Sequence, residues 1–314
     1  MANIALVFPG QGAQAVGMGR DLYDSVPAAK NIFETANNEL KNDIIRTIFE
    51  GPEETLKQTQ YTQLAVFITS MACLEALRGG YPGLFDNCRF TAGHSLGEYS
   101  ALCASGVFGF SDGLKLVKAR SEYIRQASEK AGDSGMAAVL GLDYGILRGI
   151  CEAVPGVVEV VNFNCPGQLV IAGGMNAVDA AVKLATEKGA MKAVKLNVSG
   201  PFHSSLMEPA AVQMERELAG YTLKKPVIPV VTNCDGEINT EADALKSKMA
   251  MQVNHPVLWE KSVRKIMESG ADVFIEVGPG RVLSGLLKRI DRKFRSLNVS
   301  GIAGLEKTVE ALKT

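Results

Sequence analysis

Apolar residues along this chain recur with two spacings, and the switches between them outline an alternation of strands and helices. Ile4 to Phe8 is an unbroken apolar run that stops at Pro9, Gly10, Gln11 and Gly12. That is the pattern of a strand covered on both faces and followed by a glycine-bracketed loop. Helical spacing dominates from Val26 to Leu77. Cys88 to Ala92 reads as a short buried strand, and Leu96 to Ser105 as a helix with an apolar face at Leu96, Tyr99, Leu102 and Cys103. A helix from Ser111 to about Glu129, capped by Ser111 or Asp112, carries Leu114, Val117, Tyr123 and Ile124. The polar stretch Lys130 to Ser134 reads as a hinge.

Between Gly135 and Ser199 the order of elements changes. Met136 to Leu142 predicts a strand, Tyr144 to Val154 a helix, Val157 to Phe163 and Gln168 to Ala172 two strands, Ala177 to Lys188 a helix, and Ala193 to Val198 a strand. This β-α-β-β-α-β order is ferredoxin-like. The larger α/β pattern then resumes with a helix from Ser204 to Leu218, a strand from Val227 to Thr232, helices at about Ala242 to Met251 and Val257 to Glu268, and a strand from Val273 to Val277. Gly278, Pro279 and Gly280 close that strand, and another helix follows. The expected fold class is therefore α/β. A hydrolase-like large subdomain with a mostly parallel central sheet spans residues 1–130 and 200–314, and a ferredoxin-like α+β subdomain, 131–199, is inserted into it.

A chain of 314 residues is long enough to bury a core without disulfides. With 33 basic and 34 acidic residues and no basic block, it lacks a nucleic-acid footprint. Its six cysteines show no C-x-x-C spacing, which argues against a zinc or redox pair and for reduced, mostly buried thiols. No basic leader and no apolar run of membrane-spanning length occurs, so a cytoplasmic protein with no membrane partner is expected. A monomer is the expected state.

Gly93, His94, Ser95, Leu96 and Gly97 spell G-x-S-x-G between a predicted strand and a predicted helix. A sharp strand-to-helix turn crowds its neighbours, which is why glycines flank the serine, and it aims the first free N–H groups of the helix at the serine. Ser95 is then a nucleophile and Leu96 N–H an oxyanion donor; the plain alternative is a Gly-Ser turn that only joins two elements. A serine needs a base. His94, adjacent at a tight turn, should diverge from Ser95 and line the pocket instead, and His255 sits in a turn-like Asn-His-Pro string that suits a surface or capping role. His203, in Gly200-Pro201-Phe202-His203-Ser204, lies where the insert returns to the main domain and is the candidate base. No acid stands out to orient it, and a backbone carbonyl can do that work.

Phe8 to Gly12, Gly93 to Tyr99, Arg120, Gly200 to Ser204 and Gln252 to Trp259 together closely resemble the malonyl-CoA:acyl carrier protein transacylases, in order and spacing along nearly the whole chain. The resemblance implies that Ser95 is acylated, that His203 is its base, and that Gln11 joins Leu96 N–H in the oxyanion hole. On the residues alone, Gln11 reads as a polar loop residue and Arg120 as a solvated helix arginine. The resemblance instead makes Arg120 the fork that grips the malonyl carboxylate, a contact of about 1.5–3 kcal/mol. It implies that the Gln252 carbonyl orients the imidazole, and that Phe202 disfavours an α-methyl branch; His94 lines the substrate pocket. Expected substrates are malonyl-CoA and the phosphopantetheine thiol of an acyl carrier protein, joined by a ping-pong transfer that supplies fatty acid synthesis, with no cofactor and no metal. Rival readings are a polyketide-synthase acyltransferase, a serine thioesterase or hydrolase, and an idle acyl-binding partner of a synthase.

Overall fold

The computed structural model describes residues 3–41 and 43–313. Among the described residues ten strands form two sheets: β1 Ile4–Phe8, β2 Cys88–Gly93, β3 Ser134–Leu140, β4 Val158–Cys165, β5 Gln168–Gly174, β6 Lys192–Lys195, β7 Val230–Val231, β8 Ile238–Asn239, β9 Val273–Val277 and β10 Arg295–Val299. The large sheet runs β10-β9-β1-β2-β7-β8 and is parallel except for the β7–β8 pair. The smaller sheet, β4-β5-β3-β6, is antiparallel throughout.

β1 lies at the centre of the large sheet, and its apolar run is explained by cover on both faces. Ile4, Leu6 and Phe8 enter one core with the helices Thr59–Gly80, Phe110–Ala131 and Glu208–Ala219, while Ala5 and Val7 enter a second core with Trp259, Phe274 and Leu287. The loops after β1 and β2 meet at the carboxyl edge. A methyl on Gly10 would strike the His94 carbonyl, and one on Gly97 would strike the Phe8 carbonyl. The parallel sheet thus presents its strand ends where ligands of open α/β sheets bind.

The smaller sheet packs its helices, Tyr144–Ala153 and Met175–Glu187, on one face around Ala137, Val139 and Ile171. Its other face, Met136, Val161, Val170 and Ala172, meets Phe202 and Val198. β4 is also tied to the large unit by hydrogen bonds from Phe163 N–H to the Val257 carbonyl at 2.9 Å and from Val257 N–H to the Val161 carbonyl at 2.8 Å.

Several local expectations give way to tertiary context. The helix Gly97–Ala104 is buried on nearly every side, Glu98 and Ser100 included, rather than on one apolar face. The helix Phe110–Ala131 begins after Gly109 without a side-chain cap, and the Ser111 hydroxyl donates to Glu39 instead. The strand expected over 227–232 pairs only at Val230–Val231, because Pro226 and Pro229 supply no N–H to a ladder. β8, β10 and the helix Ile302–Lys313 complete the large unit beyond what periodicity indicates. Of the six free cysteines, four are buried and Cys103 and Cys234 are half-buried. Among the described residues no helix is long and apolar enough to cross a membrane.

Candidate active site

Ser95 stands on the turn between β2 and the helix Gly97–Ala104 with φ +51°, a left-handed conformation that costs a non-glycine residue about 1–2 kcal/mol. Gly93 and Gly97 make the turn possible, since a side chain on Gly93 would collide with the Gly97 backbone. The turn puts Ser95 Oγ 2.7 Å from Nε2 of His203, itself left-handed at φ +65°. His203 Nδ1 lies 2.9 Å from the Gln252 carbonyl and 3.2 Å from that of His255. Both partners are acceptors, so Nδ1 carries the proton and Nε2 is left with its lone pair facing the hydroxyl. Burial first, then the positive charge of Arg120, pushes His203 down to about 3, so it is neutral near pH 7.

Arg120 projects from the helix Phe110–Ala131 and is only 2% exposed. Its Nη2 donates to Ser95 Oγ at 3.1 Å and to Gln252 Oε1 at 3.0 Å, and Nη1 donates to Gln63 Oε1 at 2.6 Å. The guanidinium carbon lies 5.5 Å from the Tyr99 ring centre, and Nε has no hydrogen-bond partner among the described residues. The nearby buried Glu98 is pushed up to about 8 by desolvation, which leaves it mostly protonated at neutral pH. Arg120 thus keeps its charge and forms no salt bridge among the described residues. Burying a guanidinium without an anion is costly, so the arrangement is suited to an anionic ligand.

A cavity of about 110 Å³ joins these groups and is lined by Gln11, Gln63, His94, Ser95, Leu96, Arg120, Phe202 and His203. Its remaining walls include Met136, Leu196 and Val198 of the insert and its return. The N–H groups of Leu96 and Gln11 take no hydrogen-bond partner among the described residues. Two unpaired backbone donors beside a serine are what an oxyanion requires.

Every sequence-nominated residue therefore reaches one place. Ser95, His203, Gln11, Leu96, Arg120, Phe202 and His94 line the cavity, and Gln252 lies behind it with its carbonyl on His203 and its amide donating to the Ser95 carbonyl at 2.8 Å. His94 turns away from Ser95, placing Nε2 2.8 Å from Asn164 Oδ1 of the insert. Arg120 corrects its residue-level reading as a solvated arginine. It occupies the buried stripe of Gly113, Val117, Ile124 and Ala127, an interruption of apolar helical spacing that is a legible signal.

Three participants escape the sequence reading. Gln63 is one of several polar residues buried in the helix Thr59–Gly80, at 2% exposure, so its position alone does not single it out. His255 contributes its carbonyl, which no side-chain pattern reveals. Asn233, just past β7, accepts the Ser95 N–H at 2.7 Å, and only its place in a strand-end loop marked it.

Comparison with known proteins agrees with this geometry. The family model described as acyl transferase domain matches residues 5–312. The malonyl CoA-acyl carrier protein transacylase of Bacillus subtilis (strain 168) is 42% identical, over 100% of this chain and 98% of its own length. The solved malonyl CoA-acyl carrier protein transacylase of Clostridium perfringens superimposes with a TM-score of 0.93 at 40% identity, covering 99% of this chain and 98% of that one. A malonyl-transacylase solved in complex with a type II PKS acyl-carrier protein superimposes with a TM-score of 0.92 at 37% identity, covering 99% and 100%. A serine–histidine pair beside an unneutralised buried arginine, in a chain matched along nearly its whole length, places this protein in the malonyl-CoA:acyl carrier protein transacylase family of acyltransferases.

Proposed function

We propose that this chain carries a malonyl group from malonyl-CoA to the phosphopantetheine thiol of an acyl carrier protein through a malonyl ester on Ser95. The observation that carries the reading is Arg120, a buried cation whose Nη2 lies 3.1 Å from the Ser95 hydroxyl oxygen. A substrate carboxylate held by that fork places its own acyl carbon next to the serine. A neutral acyl group would leave that charge without an ionic partner.

In the first half-reaction Ser95 Oγ attacks the thioester carbonyl as its proton passes to His203 Nε2. The oxyanion is received by Leu96 N–H and by Gln11. Collapse breaks the C–S bond, and His203 returns the proton to the departing thiolate of coenzyme A. In the second half-reaction the pantetheine thiol gives its proton to His203 and attacks the ester carbonyl. The C–O bond to Ser95 breaks, and the hydroxyl regains the proton. The Gln252 carbonyl holds the Nδ1 proton throughout. No step requires a metal or a cofactor.

The carboxylate has a second effect. Arg120 is the larger of the charges that hold His203 down, so an anion paired with Arg120 relieves that repulsion and makes His203 a better base once malonyl is bound. We assign the chemistry to residues 1–130 and 200–314 and the shaping of the acyl pocket to the insert, 131–199. The same chemistry serves fatty acid synthesis or a polyketide synthase, and the relative solved with a type II PKS carrier favours testing both acceptors.

The test is the intact mass of the protein after incubation with malonyl-CoA, with and without a carrier of each class. A malonyl adduct that persists in water and moves to a carrier is the expected result. Prompt release of malonate, or no adduct, would refute transfer.

A further inference from the structure

We propose that Asn233 is the positioning residue that holds the Ser95 turn in its left-handed form and reserves the oxyanion contact for Leu96 N–H; this rests on Ser95 being the nucleophile. Asn233 is 1% exposed and lies two residues beyond the short strand β7. All four of its polar groups are engaged. Oδ1 accepts the Ser95 N–H at 2.7 Å, and Nδ2 donates to the Gly93 carbonyl at 2.6 Å. Its backbone N–H donates to Glu98 Oε2 at 2.6 Å, and its carbonyl accepts from Leu258 N–H at 2.9 Å.

The arrangement continues the sheet by other means. β2 and β7 pair in parallel at Thr91 with Val230 and at Ala92 with Val231, and the ladder ends there. Beyond it the side-chain amide of Asn233 stands in for a peptide group, bridging the residues before and after His94. Neither bond touches a substrate atom. Their joint effect is on geometry: the Ser95 N–H is consumed, the Leu96 N–H is left unpaired at the cavity, and Ser95 is kept at φ +51°. Released from the amide, the Ser95 N–H becomes a buried donor without a partner, and the turn relaxes toward an unstrained conformation that carries Oγ away from His203 Nε2.

A residue that only stabilises the fold and one that positions the nucleophile differ in what survives in folded protein. The experiment compares wild type with Asn233→Ala and the milder Asn233→Ser, each checked by circular dichroism and thermal melting. Three quantities are read: the rate at which a fluorophosphonate labels Ser95, the kcat for malonyl transfer to a carrier, and the KM for malonyl-CoA. Displacement of a reacting atom by about 1 Å costs on the order of 100-fold, so labelling and kcat should both fall by about that factor in folded alanine variant. Serine should fall less, and KM should stay within about threefold, because the contacts of Arg120 are untouched.

Labelling and kcat within about threefold of wild type in folded variants would overturn the proposal, as would a raised KM with kcat intact. Failure of both variants to fold would make Asn233 a stability residue and overturn it too. The phosphonate keeps this test separate from the malonyl reading. A wild type that is labelled but takes no malonyl refutes that reading and still lets Asn233 be judged on labelling, whereas a wild type that is not labelled removes the nucleophile and the proposal with it.

Discussion

The two walls of the cavity are made of different material. The wall from the large sheet holds Ser95, His203, Arg120 and Gln63, with Gln252 behind them, and nearly every polar atom there is tied to a neighbour. The facing wall offers Met136, Leu196 and Val198, with Phe202 at the seam; its polar member is Asn162 of β4, whose Oδ1 is buried without a hydrogen-bond partner among the described residues, and no charged side chain lines the cavity there. The polar wall carries what must be oriented before reaction begins. The mainly apolar wall carries shape, and on the proposed reading it is what separates transfer from hydrolysis, since an ester beside mainly apolar side chains meets little water.

If chemistry resides on the polar wall alone, the largest loss should follow removal of the base. His203→Ala is expected to lower kcat about 10²- to 10⁴-fold with little change in fold, measured as the single-turnover rate of Ser95 acylation. A fall of less than tenfold would move the base elsewhere. Arg120→Ala comes next: malonyl use should drop roughly ten- to hundredfold relative to acetyl use, measured as the ratio of kcat/KM values. Equal losses for both substrates would make Arg120 structural. The same variant carries a pH signature. Arg120 lowers the pKa of His203, so its removal raises that pKa and moves the acid limb of kcat/KM toward higher pH.

The two walls also differ in how far the sequence discloses them. The insert obeys ordinary rules: Ala137 and Val139 face one way and Met136 the other, so β-α-β-β-α-β order and alternation suffice to predict it. β1, β2 and the Ser95 turn are equally legible, because steric crowding at Gly93 and Gly97 leaves a literal trace in the letters. His203 is marked by its place where the insert returns, but the rest of the polar wall is not legible, for a physical reason. His203 is oriented by main-chain carbonyls of Gln252 and His255, and any residue type has a carbonyl. Gln63 and Asn233 are polar residues whose partners lie 57 and 138 positions away. Arg120 sits between; its interruption of an apolar stripe is visible, but only tertiary cover distinguishes a buried guanidinium from a snorkelling one.

The seam between the walls tests whether shape is set from the insert side. Phe202 packs against both the large core and the Met136–Val170 face of the insert. Phe202→Ala should widen the place where an α-methyl branch would fall and raise the methylmalonyl-to-malonyl ratio of kcat/KM by up to about tenfold, with malonyl kcat changed by a smaller factor. An unchanged ratio would assign the selectivity to the polar wall.

The smallest effect concerns stability, and it asks what the polar wall costs. Glu98 is fully buried, one oxygen accepting the Asn233 N–H and the other without a hydrogen-bond partner among the described residues. Burial raises it from 4.5 to about 8, above its value in the unfolded chain. A raised carboxyl pKa means that the native state holds its proton more tightly than the unfolded state does. The stability from this group is therefore fully present below about pH 4.5 and is lost as pH rises through about 8, at a slope of at most about 1.4 kcal/mol per pH unit. Glu98→Gln keeps an acceptor for Asn233 and cannot ionise. Thermal melts between pH 5.5 and 7.5 should show wild type losing Tm more steeply than the variant by a few degrees across that range. Parallel slopes would mean that Glu98 holds one protonation state throughout, and that the pH dependence of stability comes from other groups, the buried His203 among them.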